Sequence, residues 1–337
     1  MGLKKGPVLL MFAILLPAIF AACPVAAADA RTEAVPVERS EGLPARGLID
    51  LRSNFSDGAY DVETIVRMAK DRGFSVVIIN DHDRAAMEYG LAPLRNVVKK
   101  REEKGSVNRW GASAWLQAIR EAEKKHPDMV VIPGTESAPF YHWTGSPIRG
   151  DLTAWNHERR ILTIGLDSAE DYQSLPVLHN GFTTRWMGMA LPGIFAFLAA
   201  LAAGAVMIRW KGLYRIAGIG VVAVSLVFLV NSDPFRSSPF DPYSGDQGIA
   251  PWQLLIDDVR GKGGLTFWNH VETQSGVREM GPVKVHTAPH PEVLDESTRY
   301  TGFAVLYGDT VTVSEPGGLW DRVLSDYCRG YREHPAW

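Results

Sequence analysis

The sequence predicts an α/β fold with parallel strands, and three features carry that reading. Runs such as "SVVIIN" (Ser75–Asn80) and "MVVIP" (Met129–Pro133) are apolar without interruption, as strands buried on both faces are. Amphipathic helical segments alternate with them, the layout of repeated strand–helix units. Acidic groups and histidines recur just after the strands, the edge on which parallel barrels build their active sites.

At the N-terminus Lys4 and Lys5 precede the apolar run Pro7 to Ala22, and Ala28-Asp29-Ala30 follows. This is the pattern of an export signal, residues 1–30, cleaved near Ala30. An uncleaved anchor and lipidation of Cys23 are the alternatives. Residues 31–46 are polar and read as a flexible lead. Gly47–Leu51 is a short first strand. Asp61 caps a helix with Ile65, Met68 and Ala69 on one face, stopped by Gly73. "SVVIIN" is the second strand. "APLRNVVKKREEKG" predicts a helix starting at Pro93, with Lys99–Lys104 as its solvated face. "SAWLQAIREAEKKHP" is a further amphipathic helix, "MVVIP" the third strand and "RILTIGL" (Arg160–Leu166) the fourth.

The pattern then breaks. Trp186 to Ile208 holds no charged residue, and a second apolar run follows from Ile216 to Val230, which Leu213 and Tyr214 extend past Arg215. Each is close to the ~20 residues that cross a bilayer as a helix. Residues 186–230 therefore read as a transmembrane hairpin, set against the alternative of two very apolar core helices. Arg209, Lys211 and Arg215 lie in the short link and place it in the cytoplasm. Both flanks then face the other side, where the export signal also sends the first of them. The expectation is an inner-membrane protein whose domain, residues 47–185 with 231–337, faces the periplasm or exterior, with the lipid bilayer as a partner.

After the hairpin come a helix at "APWQLLIDDVRGKGG", a strand at Leu265–Asn269, another at Gly302–Tyr307 and a last helix at "GGLWDRVLSDYCRG". "PHPEVL" and "SEPGGLW" read as helix starts. His142, His286 and His290 fall in apparent loops and read as surface residues. "FYHWTG" (Phe140–Gly145) lines a pocket or touches lipid headgroups. The chain has 337 residues and a net charge of -3, so nothing points to nucleic acid. Its two cysteines, Cys23 and Cys328, form neither a disulfide framework nor a zinc pattern.

"SNFSDGAYDVETIVRMAKDRGFSVVIINDHD" resembles the start of the polymerase-and-histidinol-phosphatase (PHP) superfamily. Ser56-Asp57-Gly58, Asp81-His82-Asp83, "IPGTE" ending in Glu136, and "GGLTFWNH" ending in His270 all match motifs of that family. The resemblance covers roughly 47–167 and 250–330. It implies a distorted (β/α)7 barrel like a TIM barrel, here interrupted by the hairpin, and a metal-dependent phosphoesterase. The implied metal ligands are Asp50, Asp57, His82, Glu136, His157 and His270, holding zinc, manganese or iron. Arg52, Asp81 and Arg160 are the candidate catalytic residues, and the implied substrate is a small phosphorylated anion.

The departures are specific. The family's H-x-H falls on Asp50 and Arg52, and arginine has no lone pair to give a metal. Arg159-Arg160 stand where relatives carry a histidine, with His157 close by. A closing D-x-H is missing, so either the chain continues in a longer form or the barrel is open. The resemblance therefore implies one metal or two, with Arg52 filling the remaining position by its own charge and gripping a phosphate. The alternative is an inactive module that binds or senses an anionic ligand.

Overall fold

The computed structural model describes residues 45–305, 312–332 and 334. The export signal and nearly all of the lead lie outside them. β1 (Gly47–Leu51) leads through a tight turn to α1 (Val62–Asp71), whose first turn is capped by Asp61 accepting from the Thr64 amide at 2.7 Å. β2 (Val76–His82) is followed by a hairpin of β3 (Ala86–Gly90) and β4 (Lys99–Glu103), then the short α2 (Val107–Trp110), α3 (Ala112–Lys125) and β5 (Val130–Ser137). Two three-residue strands, β6 (His142–Thr144) and β7 (Thr153–Trp155), precede β8 (Arg160–Ile164) and α4 (Ala169–Gln173). The apolar pair is α5 (Met187–Ile208) and α6 (Leu213–Asn231). The rest is α7 (Ala250–Gly261), β9 (Leu265–Asn269), β10 (Val277–Met280), β11 (Val283–His286), α8 (Val293–Glu296), β12 (Gly302–Phe303) and α9 (Leu319–Cys328). The predicted strand Gly302–Tyr307 is thus seen only at its start, and residues 306–311 are outside the described part.

The main sheet has six strands in the order β1-β2-β5-β8-β9-β12. β1, β2 and β5 run parallel, as the alternation predicts, and β12 runs parallel to β9. The all-parallel expectation fails at β8, which is antiparallel to both β5 and β9. The cause is the connection. No crossover helix carries the chain from the end of β5 back to its start; the small strands β6 and β7 intervene instead, so β8 must return from the same end.

A flat sheet would hold β1 and β9, four strands apart, at about 19 Å. Yet Asn269 Nδ2 of β9 donates to Asp50 Oδ2 of β1 at 3.2 Å. The sheet is therefore strongly curled, with its first and fifth strands facing each other across the interior. Among the described residues no pairing joins β12 back to β1, so the closed seven-stranded barrel is not seen. Trp115 and Ile119 of α3, Val66 of α1, and Trp252 and Leu255 of α7 are fully buried in the core that the helices make with the sheet. A second sheet, β10-β11-β7-β6, was not predicted from the sequence.

The charged run predicted as a helix is the β3–β4 hairpin. Its pairs set Glu88 opposite Arg101 and Met87 opposite Glu102, and the nearly buried Glu88 takes ion pairs from Lys99 at 3.1 Å and Arg101 at 3.9 Å. Cross-strand charge pairing outweighs the run's helix propensity. The run is exposed, as expected, but as a strand.

α5 and α6 are long and apolar enough to span a membrane, and only 6% and 11% of their most apolar stretches are buried in the protein. Core helices would be covered. They pack on each other closely enough that a Cβ on Gly218 would come within 2.7 Å of the Gly204 carbonyl oxygen.

Candidate metal and anion site

The site lies at the edge of the sheet where β1, β2, β5 and β9 end and β8 begins. The β2–β5 register sets His82 beside Glu136, and the β8–β9 register sets Arg160 opposite Asn269. The reversal of β8 is what brings Arg160 here: it starts that strand rather than ending it. A register shift in β1 between Leu48 and Leu51 accompanies a left-handed backbone at Asp50 (φ 60). His270, just past β9, is also left-handed (φ 56). Non-glycine residues pay for that conformation, and such strain collects at functional sites.

Glu136 is the centre. Its side chain is fully buried, and both oxygens are used. Oε2 accepts from Arg160 Nη1 at 2.6 Å and Arg52 Nη2 at 2.9 Å and lies 3.1 Å from His82 Nδ1, while Oε1 accepts from Asn269 Nδ2 at 3.1 Å. Burial alone would push this carboxyl up; Arg160, His82 and Arg52 instead hold it well below the usual carboxylate range. Burial opposes the charge on Arg160 too, and Glu136 with Glu158 more than offsets it, keeping the guanidinium firmly protonated. Glu158 hydrogen bonds the other arm of Arg160 and accepts from Arg278 Nη2 at 2.6 Å. Charges therefore alternate from the exposed Arg278 down to Glu136.

Asp50, Glu136 and His270 offer ligand atoms that all lie within 4.8 Å of one another. Two carboxylates and an imidazole suit zinc, manganese or iron. This donor set fits one divalent ion. It does not extend to the other predicted ligands. His82 bridges Asp57 (3.3 Å) and Glu136 (3.1 Å), with Arg160 Nη1 2.8 Å from its Nδ1. Arg52 reaches Glu136 at 2.9 Å, Asp50 at 3.6 Å and Asp57 at 3.8 Å. Guanidinium groups thus stand on Asp57 and also on Asp50 and Glu136, so an ion at the three-residue cluster would compete with Arg52, and a second ion would find each of these carboxylates beside a guanidinium. His157 lines the cavity 3.5 Å from Glu158, apart from the three-residue cluster.

Asp81 is not placed for chemistry. It is fully buried, does not line the cavity, and accepts from the Ser53 amide (2.7 Å), Ser53 Oγ (2.7 Å), Ser56 Oγ (2.5 Å) and Trp115 Nε1 (2.9 Å). Its work is to hold the Ser53–Gly58 turn that presents Arg52 and Asp57. Gly58 completes that turn: a Cβ there would lie 1.9 Å from the Arg52 carbonyl oxygen. Asp83 is buried away from the cavity, and that burial pushes its carboxyl up to about 7 despite a hydrogen bond from Ser137.

The cavity above the cluster holds about 610 Å³. Its charged lining sets Arg52, Arg84, Arg160, Arg278 and Lys104 against Asp57, Glu102, Glu136 and Glu158, and Met87, Tyr141 and Leu178 add apolar wall. Tyr141 thus meets the expectation that "FYHWTG" lines a pocket. The surface reading does not hold for His142 and His290, and His286 is a half-buried strand residue rather than a loop one. His142 is buried in β6, stacked between Phe140 and Trp155; His286 lies in β11; His290 is 2% exposed and lines the cavity. Burial lowers His290 to about 4, and its Nδ1 lies 3.0 Å from the Ala288 carbonyl oxygen. That carbonyl can only accept, so Nδ1 donates and neutral Nε2 keeps its lone pair. Asn269, Glu158, Arg278 and His290 are site residues that the motifs did not reveal. Asn269 alone had a local signal, as the residue before His270.

No family model matches the chain, and no curated protein matches it. Among solved structures, the chain is similar to a Bifidobacterium adolescentis protein provisionally assigned as a metal-dependent phosphoesterase, at 17% identity over 85% of this chain and 84% of that one, with a TM-score of 0.35. A likeness that slight assigns neither fold nor activity.

Proposed function

We propose that this chain is a membrane-anchored, exported hydrolase of the PHP type that holds one divalent ion and cleaves a phosphoester. The observation that carries the reading is the meeting of Asp50, Glu136 and His270, from three strands and both sides of the apolar hairpin, within 4.8 Å. The Ser56-Asp57-Gly58, Asp81-His82-Asp83 and Pro133-Gly134-Thr135-Glu136 motifs support it. A bound divalent ion would polarise a phosphoryl oxygen and acidify water. Arg52, part exposed to the cavity, would grip the phosphate bidentately. Arg160, committed to Glu136 and Glu158, keeps the glutamate ionised and in place. His82, set between two carboxylates, can move a proton at Nε2 toward a leaving group beside Asp57.

A second reading has its own observation. Arg52 and Arg160 already neutralise Glu136, as metals would, which suits a module that binds a phosphorylated ligand without turnover. Metal analysis of the full chain in detergent, with a phosphoester panel in added manganese or zinc, separates the two. Hydrolysis that requires metal and disappears in His270→Ala supports the enzyme. Phosphate binding without turnover supports the module. Neither metal nor phosphate binding would overturn both.

A further inference from the structure

The β3–β4 hairpin joins the cavity to the apolar helices. Its base lines the cavity through Ala86, Met87, Glu102 and Lys104. Its tip is tied to Asn231, the last residue of α6, by three hydrogen bonds. The Asn96 amide donates to Asn231 Oδ1 at 2.9 Å, Asn96 Nδ2 donates to the Asn231 carbonyl at 2.7 Å, and Asn231 Nδ2 donates to the Pro93 carbonyl at 3.2 Å. The tip is apolar and uncovered: Leu91 is 47% exposed, Val97 44% and Val98 46%.

We propose that this tip is a third membrane contact, lodged in the outer interface of the bilayer beside the end of α6. The proposal rests on α5 and α6 spanning the bilayer. Asn231 is then the point at which α6 leaves the hydrocarbon, and its bonds fix the tip at that depth. The other flank meets it there, with the Thr183 amide donating to the Phe235 carbonyl at 3.3 Å, and Phe182 is almost fully exposed. Exposed Leu and Val side chains at that level exchange water for the headgroup–acyl boundary. Of the cations on the hairpin, Lys99 and Arg101 pair with Glu88 and Lys100 with Glu102, and Arg95, within the tip, stacks on the Tyr243 ring at 3.9 Å, so the contact is made chiefly by the apolar side chains. Since each hairpin strand has five residues, the hairpin spans at most about 17 Å between the cavity and its tip.

The test uses the full chain, with Cys23 and Cys328 changed to Ser, in phosphatidylcholine nanodiscs. Single Val97→Cys, Leu91→Cys, Val224→Cys and Lys124→Cys variants carry an environment-sensitive fluorophore, and a fraction of the lipid bears a quencher just below the headgroup. Val224 lies within α6 and Lys124 on the charged face of α3. At the 5–10 Å depth of interfacial side chains, the labels at Val97 and Leu91 should shift to the blue and lose about half their emission or more, while Lys124 is unchanged. Water-like, unquenched labels at both Val97 and Leu91, with Val224 still in a lipid-like environment, overturn the proposal and leave the spanning helices standing. A water-like Val224 overturns the spanning reading, and the tip contact with it.

Discussion

Glu136 keeps a full negative charge in a nearly closed setting because two guanidinium groups face one of its oxygens. Removing one partner of such a pair leaves an uncompensated buried charge. Arg160→Met should therefore cost about 3–5 kcal/mol, read as a lowered urea midpoint, and Glu136→Gln combined with it should recover part of the loss. Arg52 is different: it competes with any ion for Asp50 and Glu136. Arg52→Gln should bind zinc or manganese about tenfold more tightly by calorimetry while losing affinity for phosphate. His179 offers a pH signature away from the cluster. Burial, with Arg101 and Lys99 near it, lowers its pKa to about 3, against ~6.5 in the unfolded chain. Between those values the unfolded state holds a proton that the folded state does not. Stability should thus fall as pH drops below 6.5, with the loss complete near 3 and amounting to a few kcal/mol. His179→Asn removes that titration and suits the left-handed backbone (φ 63), so its stability should decline less than the wild type's between pH 7.5 and 5 in paired urea titrations. Asp83, protonated up to about 7 in the folded state, shifts stability the opposite way, but equally in both proteins.

At the scale of elements, residues that follow a strand within the first or last half-barrel were legible, since local pattern places a strand end and the next side chain sits at the sheet edge. Asp50, Arg52, His82, Glu136 and His270 were found that way. Asn269 aside, Glu158, Arg278 and His290 were not: Arg278 lies in β10 and the other two in the loops that follow β7 and β11, and these short strands pair across more than a hundred residues, as Lys284 does with Thr153. The direction of β8 was hidden for a related reason: an apolar run states that a strand is buried, not which way it runs. Helix propensity misled over Lys99–Glu103, where the deciding partner is Glu88 on the neighbouring strand. Asp81, by contrast, was read as chemistry though it is architecture. Its four hydrogen bonds fasten the turn from Ser53 to Gly58, and the turn sets both Arg52 and Asp57. Gly58→Ala forces a Cβ against the Arg52 carbonyl and should lower stability by about 1–3 kcal/mol, measured by urea unfolding. Its phosphate affinity should fall as well, because the shifted backbone is that of Arg52 itself.

For the molecule as a whole, the question is whether the apolar pair α5 and α6 shapes the site or stands apart from it. The contacts argue that it stands apart. Asp50, Arg52 and Glu136 precede the hairpin and Asn269 and His270 follow it, yet they are joined directly, through Asn269 Nδ2 to Asp50 and Glu136 and through the β8–β9 ladder. The hairpin's flanks close on each other independently of α5 and α6, at the Thr183–Phe235 bond and through Ser237 Oγ, which donates to the Val177 carbonyl at 2.6 Å. A short linker can therefore span the gap, and loop length enters stability only logarithmically. Replacing residues 187–231 with a brief Gly-Ser linker should yield a protein that stays in solution without detergent and binds zinc or manganese within about threefold of the full chain by calorimetry, since ~0.6 kcal/mol is the scale of a changed loop. Metal affinity lost in that protein, with its far-UV spectrum and urea midpoint intact, would mean that the tip of the β3–β4 hairpin, tied to α6 at Asn231, acts on the cluster through the cavity wall. The apolar helix pair would then be a lever on the site.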